Sequence, residues 1–232
     1  MKILLTNDDG VDAPGILAFE KAMVGFGLVT VVAPSGALSG CGHRVTTDEA
    51  LQVKQIRPGI MSVDGTPADC VRVALHSLLP KVDWVVSGIN AGGNLGVDIF
   101  ISGTVAAVRE AAFHGIPGIA ISQYRRRGAP MDWARSEKFA RSIVTHLIGK
   151  PIKPGTYWNV NLPHLEESDP DPEFVFCKPN TSPLPLAFRV EGDSFKYAGD
   201  YHSRHAEPGT DVDVCFSGKI AISLLGIFLS KE

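Results

Sequence analysis

Short, near-continuous apolar runs alternating with helix-compatible stretches are the strongest constraint on what this chain can become. Ile3 to Thr6 is such a run, and it stops at Asn7-Asp8-Asp9-Gly10, as a buried strand does when it ends in a polar turn. Pro14 fits the first turn of a helix, where its missing N–H would have been unpaired. Gly25 and Gly27 stop that helix ahead of Leu28 to Ala33, a second apolar, β-rich run. The first 33 residues therefore read as a βαβ unit.

The alternation continues. A glycine-rich loop from Pro34 to Gly42 leads to extended pieces around Leu51 to Gln55 and Ile60 to Val63. Thr66 and Asp69 have capping-box spacing, and Cys70, Val71, Val73, Ala74 and Leu78 supply an apolar face, so a helix is expected to about Leu79. Trp84 to Ser87 is another buried strand. A polar stretch from Gly88 to Gly103 separates it from a helix over Thr104 to His114, which Gly115 ends. Gly118 to Ser122 and a helix from Trp133 to Leu147 follow. Strands that are apolar throughout indicate a mostly parallel sheet covered on both faces. The expected fold is α/β: a three-layer α/β/α, Rossmann-like domain.

From Pro151 the style changes. Prolines 163, 170, 172, 179, 183 and 185 precede or interrupt alternating segments near Phe174 to Cys177, Phe195 to Tyr201 and Lys219 to Leu225. These suggest extended arms and hairpins. Residues 1–150 are read as the α/β core, and 151–232 as its completion plus an extended C-terminal β-hairpin arm, one domain overall.

Composition narrows the function classes. A chain of 232 residues with 44% apolar and 20% charged residues can bury a substantial core. A net charge of -3 provides no basic field for duplex nucleic acid. The one basic run, Arg125 to Arg127, sits beside Gly128 and Pro130 and reads as a solvated loop. Cys41, Cys70, Cys177 and Cys215 form no CxxC pair, so reduced thiols are expected rather than a zinc knuckle. Neither a membrane span nor a secretory leader is suggested, and a cytoplasmic location is the expectation.

In an open parallel sheet, ligands bind outside the carboxyl ends of the strands where the strand order reverses. The first strand ends in Asp8 and Asp9, the second opens into a loop holding Ser39, and Trp84 to Ser87 opens into Gly88-Ile89-Asn90. If Ile3–Thr6 and Trp84–Ser87 are neighbours at the reversal, these loops share one crevice. The adjacent carboxylates repel each other and have no neutralising partner nearby in sequence, which a cation would relieve. Oxygen donors without His or Cys favour Mg²⁺ or Mn²⁺ over zinc. Ser102-Gly103-Thr104 precedes a helix, where free N–H groups attract an anion such as phosphate. Each feature also has a plain structural reading: a turn at Asn7–Gly10, an N-cap at Ser102 or Thr104, loop polars at Ser39 and Asn90.

Other motifs are missing. Gly40-Cys41-Gly42-His43-Arg44-Val45 lacks the third glycine of GxGxxG, no GxxxxGK[ST] loop occurs, and Ser39 does not lie in GxSxG. His202 and His205 are expected on an exposed arm; His43, nearer the crevice, could act on a substrate proton, although a loop histidine without a predicted partner usually reads as structural.

A series of motifs runs through Ile3 to Val11 with Ala13-Pro14-Gly15, Val32-Ala33-Pro34 with Ser39-Gly40, and Gly65 to Val71. The series continues with Val86 to Asn90, Gly92 and Asn94-Leu95-Gly96, then Ser102 to Ala107, Asn159 to Pro163 and Gly209-Thr210-Asp211. Through these motifs the chain bears a resemblance to SurE, the survival protein E family of 5′/3′-nucleotidases. The resemblance implies one divalent cation on Asp8, Asp9, Ser39 and Asn90, and a phosphate pocket lined by Asn94, Ser102, Gly103 and Thr104. Catalytic candidates are thus Asp8, Asp9, Asn90 and Asn94. It also implies hydrolysis of nucleoside monophosphates and a homodimer or homotetramer built with the C-terminal hairpin. Lys219 departs from an aromatic residue common in the family. A nucleotide- or phosphate-binding sensor without catalysis, and a phosphatase of other small esters or polyphosphate, remain alternatives.

Overall fold

The computed structural model describes residues 1–228. The sheet is laid down around β1 (Lys2–Thr6), whose apolar residues are buried on both faces. On one side β1 pairs in parallel with β2 (Leu28–Pro34), which pairs with β4 (Ile60–Val63), and β3 (Val53–Arg57) closes that edge antiparallel. On the other side β1 pairs in parallel with β5 (Trp84–Asn90), with Ile3 opposite Trp84 and Thr6 opposite Ser87. Then come β6 (Gly118–Gln123) and β7 (Thr156–Leu162), both parallel. The chain steps outward from β1 in both directions, so the β1–β5 junction is the reversal of strand order, with its crevice at their carboxyl ends.

Helices cover both faces. Helix α1 (Pro14–Ala22) and α4 (Trp133–Leu147) pack on one, around Phe19, Phe139, Ile143 and Leu147. Helices α2 (Pro67–Val73) and α3 (Gly103–Phe113) pack on the other, around Val71, Val105, Val108 and Ala111. Local chemistry sets their starts. Thr66 and Asp69 form the expected capping box, and the Asp132 carboxylate accepts from the Arg135 N–H to open α4. Gly15 lets α1 lie directly on β5: a Cβ there would stand 2.0 Å from the Ile89 carbonyl oxygen.

Several expectations are refined. Helix α2 ends at Val73, and the chain continues to Leu78 as a wider π-turn. Helix α3 starts at Gly103, with Ser102 as its N-cap. Two of the three alternating C-terminal segments belong to the main sheet. Strand β11 (Ile220–Gly226) pairs antiparallel with β7, and β8 (Phe174–Phe176) runs beside it in parallel. Short β-rich segments between proline-containing loops can join a main sheet or pair with each other as a hairpin, so pattern alone does not separate them.

The hairpin arm itself is β9 (Phe188–Glu191) with β10 (Ser194–Tyr197), a separate two-stranded sheet. His202 is not on an exposed arm. Its ring Nδ1 lies 2.9 Å from the Tyr124 hydroxyl, on the body of the protein. Among the described residues all four cysteines are free, and no helix is long and apolar enough to cross a membrane.

Candidate active site

Asp8 lies two residues beyond the end of β1 and is 4% exposed. Its carboxylate accepts a hydrogen bond from the Thr104 hydroxyl at 2.5 Å and faces the Thr104 backbone N–H at the opening of α3. Burial pushes the Asp8 carboxyl up to about 6. The Thr104 bond pulls in the opposite direction, and the neighbouring Asp9 charge adds to the rise. Among the described residues no Lys, Arg or His forms an ion pair with Asp8 or Asp9.

The neighbouring loops close around this carboxylate. Asp9 Oδ2 accepts from the Ala91 N–H at 3.1 Å, which ties the end of β1 to the loop after β5. Beside Ala91, the Asn90 side-chain amide donates to the Gly92 carbonyl at 2.8 Å, so its own carbonyl oxygen stays available. The loop after β2 comes back over β1, where the Leu38 N–H donates to the Asp8 carbonyl at 2.8 Å. Ser39 follows and is exposed.

Gly103 is packed so tightly that a Cβ would stand 2.9 Å from Asp8 Cβ and 2.9 Å from Cys41 Sγ. Gly103→Ala is accordingly expected to displace Asp8, costing about 10²-fold in turnover and about 1–3 kcal/mol in stability. Steady-state rates and thermal melts of the variant check both.

Asn94 is fixed on every side. Its N–H donates to Asn161 Oδ1 at 2.7 Å, its carbonyl accepts from the Asn159 and Asn161 amides, and its side-chain amide donates to Ser122 Oγ at 2.7 Å. Ser102 accepts from the Val105 N–H, so its plain N-cap role holds. The Thr104 hydroxyl is committed to Asp8, which leaves the helix-opening backbone rather than that side chain to meet a ligand.

A family model described as "Survival protein SurE" matches residues 3–181. The chain belongs to the SurE family. It is 51% identical over 227 residues to the Nostoc sp. (strain PCC 7120) protein alr3139, covering 98% of this chain and 100% of that one. It is 39% identical over 238 residues to "5'-nucleotidase SurE" of Geobacter sp. (strain M21), covering 100% of this chain and 95% of that one. The crystal structure of the SurE protein from Aquifex aeolicus superposes with a TM-score of 0.87 at 34% identity, over 100% of this chain and 95% of that one.

The donor set of this SurE chain suits a hard cation. Among the described residues no three His, Cys, Asp or Glu side chains are grouped to hold a metal. Asp8 and Asp9 stand at the crevice, with Ser39 and Asn90 on the adjoining loops, and all four carry hard oxygen donors of the kind that suit a divalent cation. A buried carboxylate with a raised pKa and no cationic side chain beside it is the local feature such an ion would neutralise.

Four residues have no site role in the sequence reading. Asn159 and Asn161, noted above only within a family motif, anchor Asn94, and their local signal is an i, i+2 polar pair on one face of an otherwise apolar strand. Cys41 packs on Gly103 with no motif around it to mark it. Asp98 holds the loop after Asn94, through a partner 106 residues away.

Proposed function

We propose that this chain is a divalent-cation-dependent phosphomonoesterase that hydrolyses nucleoside 5′- (and 3′-) monophosphates to nucleoside and phosphate. The observation that carries the reading is Asp8, a buried carboxylate without a cationic partner, seated at the strand-order reversal against the opening of α3. Family membership and relatives named "5'-nucleotidase SurE" support the substrate class.

Asp8, Asp9, Ser39 and Asn90 would hold one Mg²⁺ or Mn²⁺, which when bound supplies a Lewis acid for a phosphoryl oxygen and lowers the pKa of water. The protein's own groups do the rest. Thr104 fixes the orientation of Asp8, and Asp9 keeps one oxygen free of protein donors to help take a proton from the attacking water. The Gly103 N–H and the positive end of α3 stabilise charge on the phosphoryl oxygens, joined by Asn94 and the Ser102 hydroxyl. The water oxygen bonds to phosphorus as the bond from phosphorus to the nucleoside oxygen breaks, the departing oxygen takes a proton from solvent, and phosphate leaves.

Release of inorganic phosphate from a mononucleotide panel, with and without chelator, tests the reading. Chelator-sensitive release is expected. Metal-dependent binding without release would make the chain a sensor, and release only from non-nucleotide esters or polyphosphate would move the substrate class.

The β9–β10 hairpin exposes Phe188, Val190 and Phe195, with Leu186 89% exposed beside it. A second copy of this chain is the proposed cover, giving a homodimer or homotetramer. Sedimentation equilibrium measures it, and a monomer at micromolar concentration would remove the proposal.

A further inference from the structure

The segment that carries Ser39 leaves β2 and crosses the mouth of the crevice. Backbone bonds pin it at Leu38 to Asp8 and at Gly42 to Ile101, 2.8 Å and 3.0 Å long. Farther on, the Arg44 carbonyl accepts from the Thr66 hydroxyl at 2.6 Å, and Thr46 binds Asp69 through both its N–H and its hydroxyl. These contacts join the segment to β1, to the turn before α3 and to α2. Among the described residues, His43 makes the side-chain hydrogen bond from this segment to the body of α3.

His43 Nε2 lies 2.8 Å from Glu110 Oε2, and Glu110 is 5% exposed. On the opposite ring nitrogen, the Arg109 guanidinium approaches Nδ1 at 3.4 Å. With an arginine donor facing Nδ1, the proton belongs on Nε2, where it points at the carboxylate. Arg109 is itself anchored, donating to the Ile99 carbonyl at 2.9 Å and the Tyr157 hydroxyl at 3.2 Å. The other Glu110 oxygen takes His114 at 3.2 Å, with Arg72 at 4.0 Å. The His43 ring also packs against Phe113, centroids 5.3 Å apart.

This geometry matters because of what lies at the two ends. Glu110 sits two turns beyond Gly103 on the same rigid helix that opens with Thr104, the residue holding Asp8. His43 sits four residues beyond Ser39. A cation shared by Asp8 and Ser39 needs the loop and the helix at a fixed separation, and Ser39 itself is exposed with no side-chain partner among the described residues.

We infer that His43 and Glu110 are a positioning pair, a tether between the Ser39 loop and α3 that pre-organises the cation site. The inference rests on the proposed function for the assignment of Ser39 as a ligand. Neither residue is among those assigned above to the cation or the phosphoryl group.

The test is Mn²⁺ affinity of the full chain by electron paramagnetic resonance, together with hydrogen exchange of the metal-free protein. His43→Ala is expected to weaken Mn²⁺ about 10-fold, the scale of lost supporting contacts around a metal site. Amides of residues 38–44 should exchange faster in the same variant without metal, while the nucleotide KM changes less than the Mn²⁺ requirement. His43→Gln, which keeps an N–H directed at Glu110, should recover most of the affinity.

Unchanged Mn²⁺ affinity in His43→Ala, or an equal loss in the Ala and Gln variants, overturns the tether. Should the alanine variant not fold, Glu110→Gln carries the test: several-fold weaker Mn²⁺ supports the pair and unchanged affinity overturns it. Failure of the underlying reading looks different. A wild-type chain that binds no Mn²⁺ overturns the site assignment and the tether together, whereas intact wild-type binding unaffected in His43→Ala overturns only the tether.

Discussion

Asp8→Asn is expected to abolish phosphate release, by about three orders of magnitude or more, while making the metal-free protein harder to unfold at pH 8. The loss of activity follows from the proposed role: an amide at position 8 removes a negative charge that a divalent cation needs, and Asp9→Asn should lose activity similarly. The gain in stability follows from electrostatics. Asp8 has its carboxyl raised to about 6 from 3.8, chiefly by burial.

A raised acid binds more protons folded than unfolded between those values, so wild-type stability falls as pH climbs from about 4 to 6. Above about pH 7 the full penalty is present, about 3 kcal/mol at 1.36 kcal/mol per unit. Below pH 4 it is gone. Asparagine can still accept from Thr104 without carrying charge, so the two proteins should unfold alike at pH 4 and diverge by pH 8. Denaturant titrations across that range decide it, and parallel curves at every pH would contradict the burial argument. Saturating Mn²⁺ should reverse the order, since 1,000-fold excess over Kd stabilises the wild type by about 4.1 kcal/mol.

The second large effect lies behind the crevice. Arg204, 5% exposed, donates to Asp98 Oδ2 at 2.6 Å, and the Tyr201 hydroxyl donates to the same oxygen at 2.8 Å. Burial and the Asp98 charge push the Tyr201 hydroxyl far up, which keeps it a donor. Arg204 also reaches the Leu95 carbonyl at 3.3 Å. Asp98→Ala would leave a guanidinium buried without its partner, a loss of about 3–5 kcal/mol. In a chain of this size that lowers the midpoint of thermal unfolding by roughly 10 °C. Removing both charges with apolar residues, as in Asp98→Leu with Arg204→Met, should recover much of the loss. Melting curves of the single and double variants measure it, and additive losses would show that the pair is not coupled.

These contacts mark where sequence reading runs out. The apolar runs Ile3–Thr6, Leu28–Ala33 and Trp84–Ser87 announce buried parallel strands because both faces must be apolar, and their loops announce the crevice. The capping box at Thr66 is equally local. His43 with Glu110, 67 residues apart, and Asp98 with Arg204 carry no such pattern, because any one of them alone reads as a surface polar residue. The C-terminal strands failed for a related reason: Phe174–Phe176 and Ile220–Gly226 have the extended composition of a hairpin, and only their partners place them in the main sheet, β11 between β7 and β8 and β8 at its edge. Thr104 was legible as part of a helix opening but not as the donor to Asp8, a contact that spans 96 residues.

Anomalous diffraction from crystals grown with Mn²⁺ addresses the cation directly. One peak per chain is expected at the carboxyl ends of β1 and β5, within coordination distance of oxygens from Asp8, Asp9, Ser39 and Asn90. A crevice with no peak there at saturating Mn²⁺, or a peak bound elsewhere while hydrolysis persists, would contradict it.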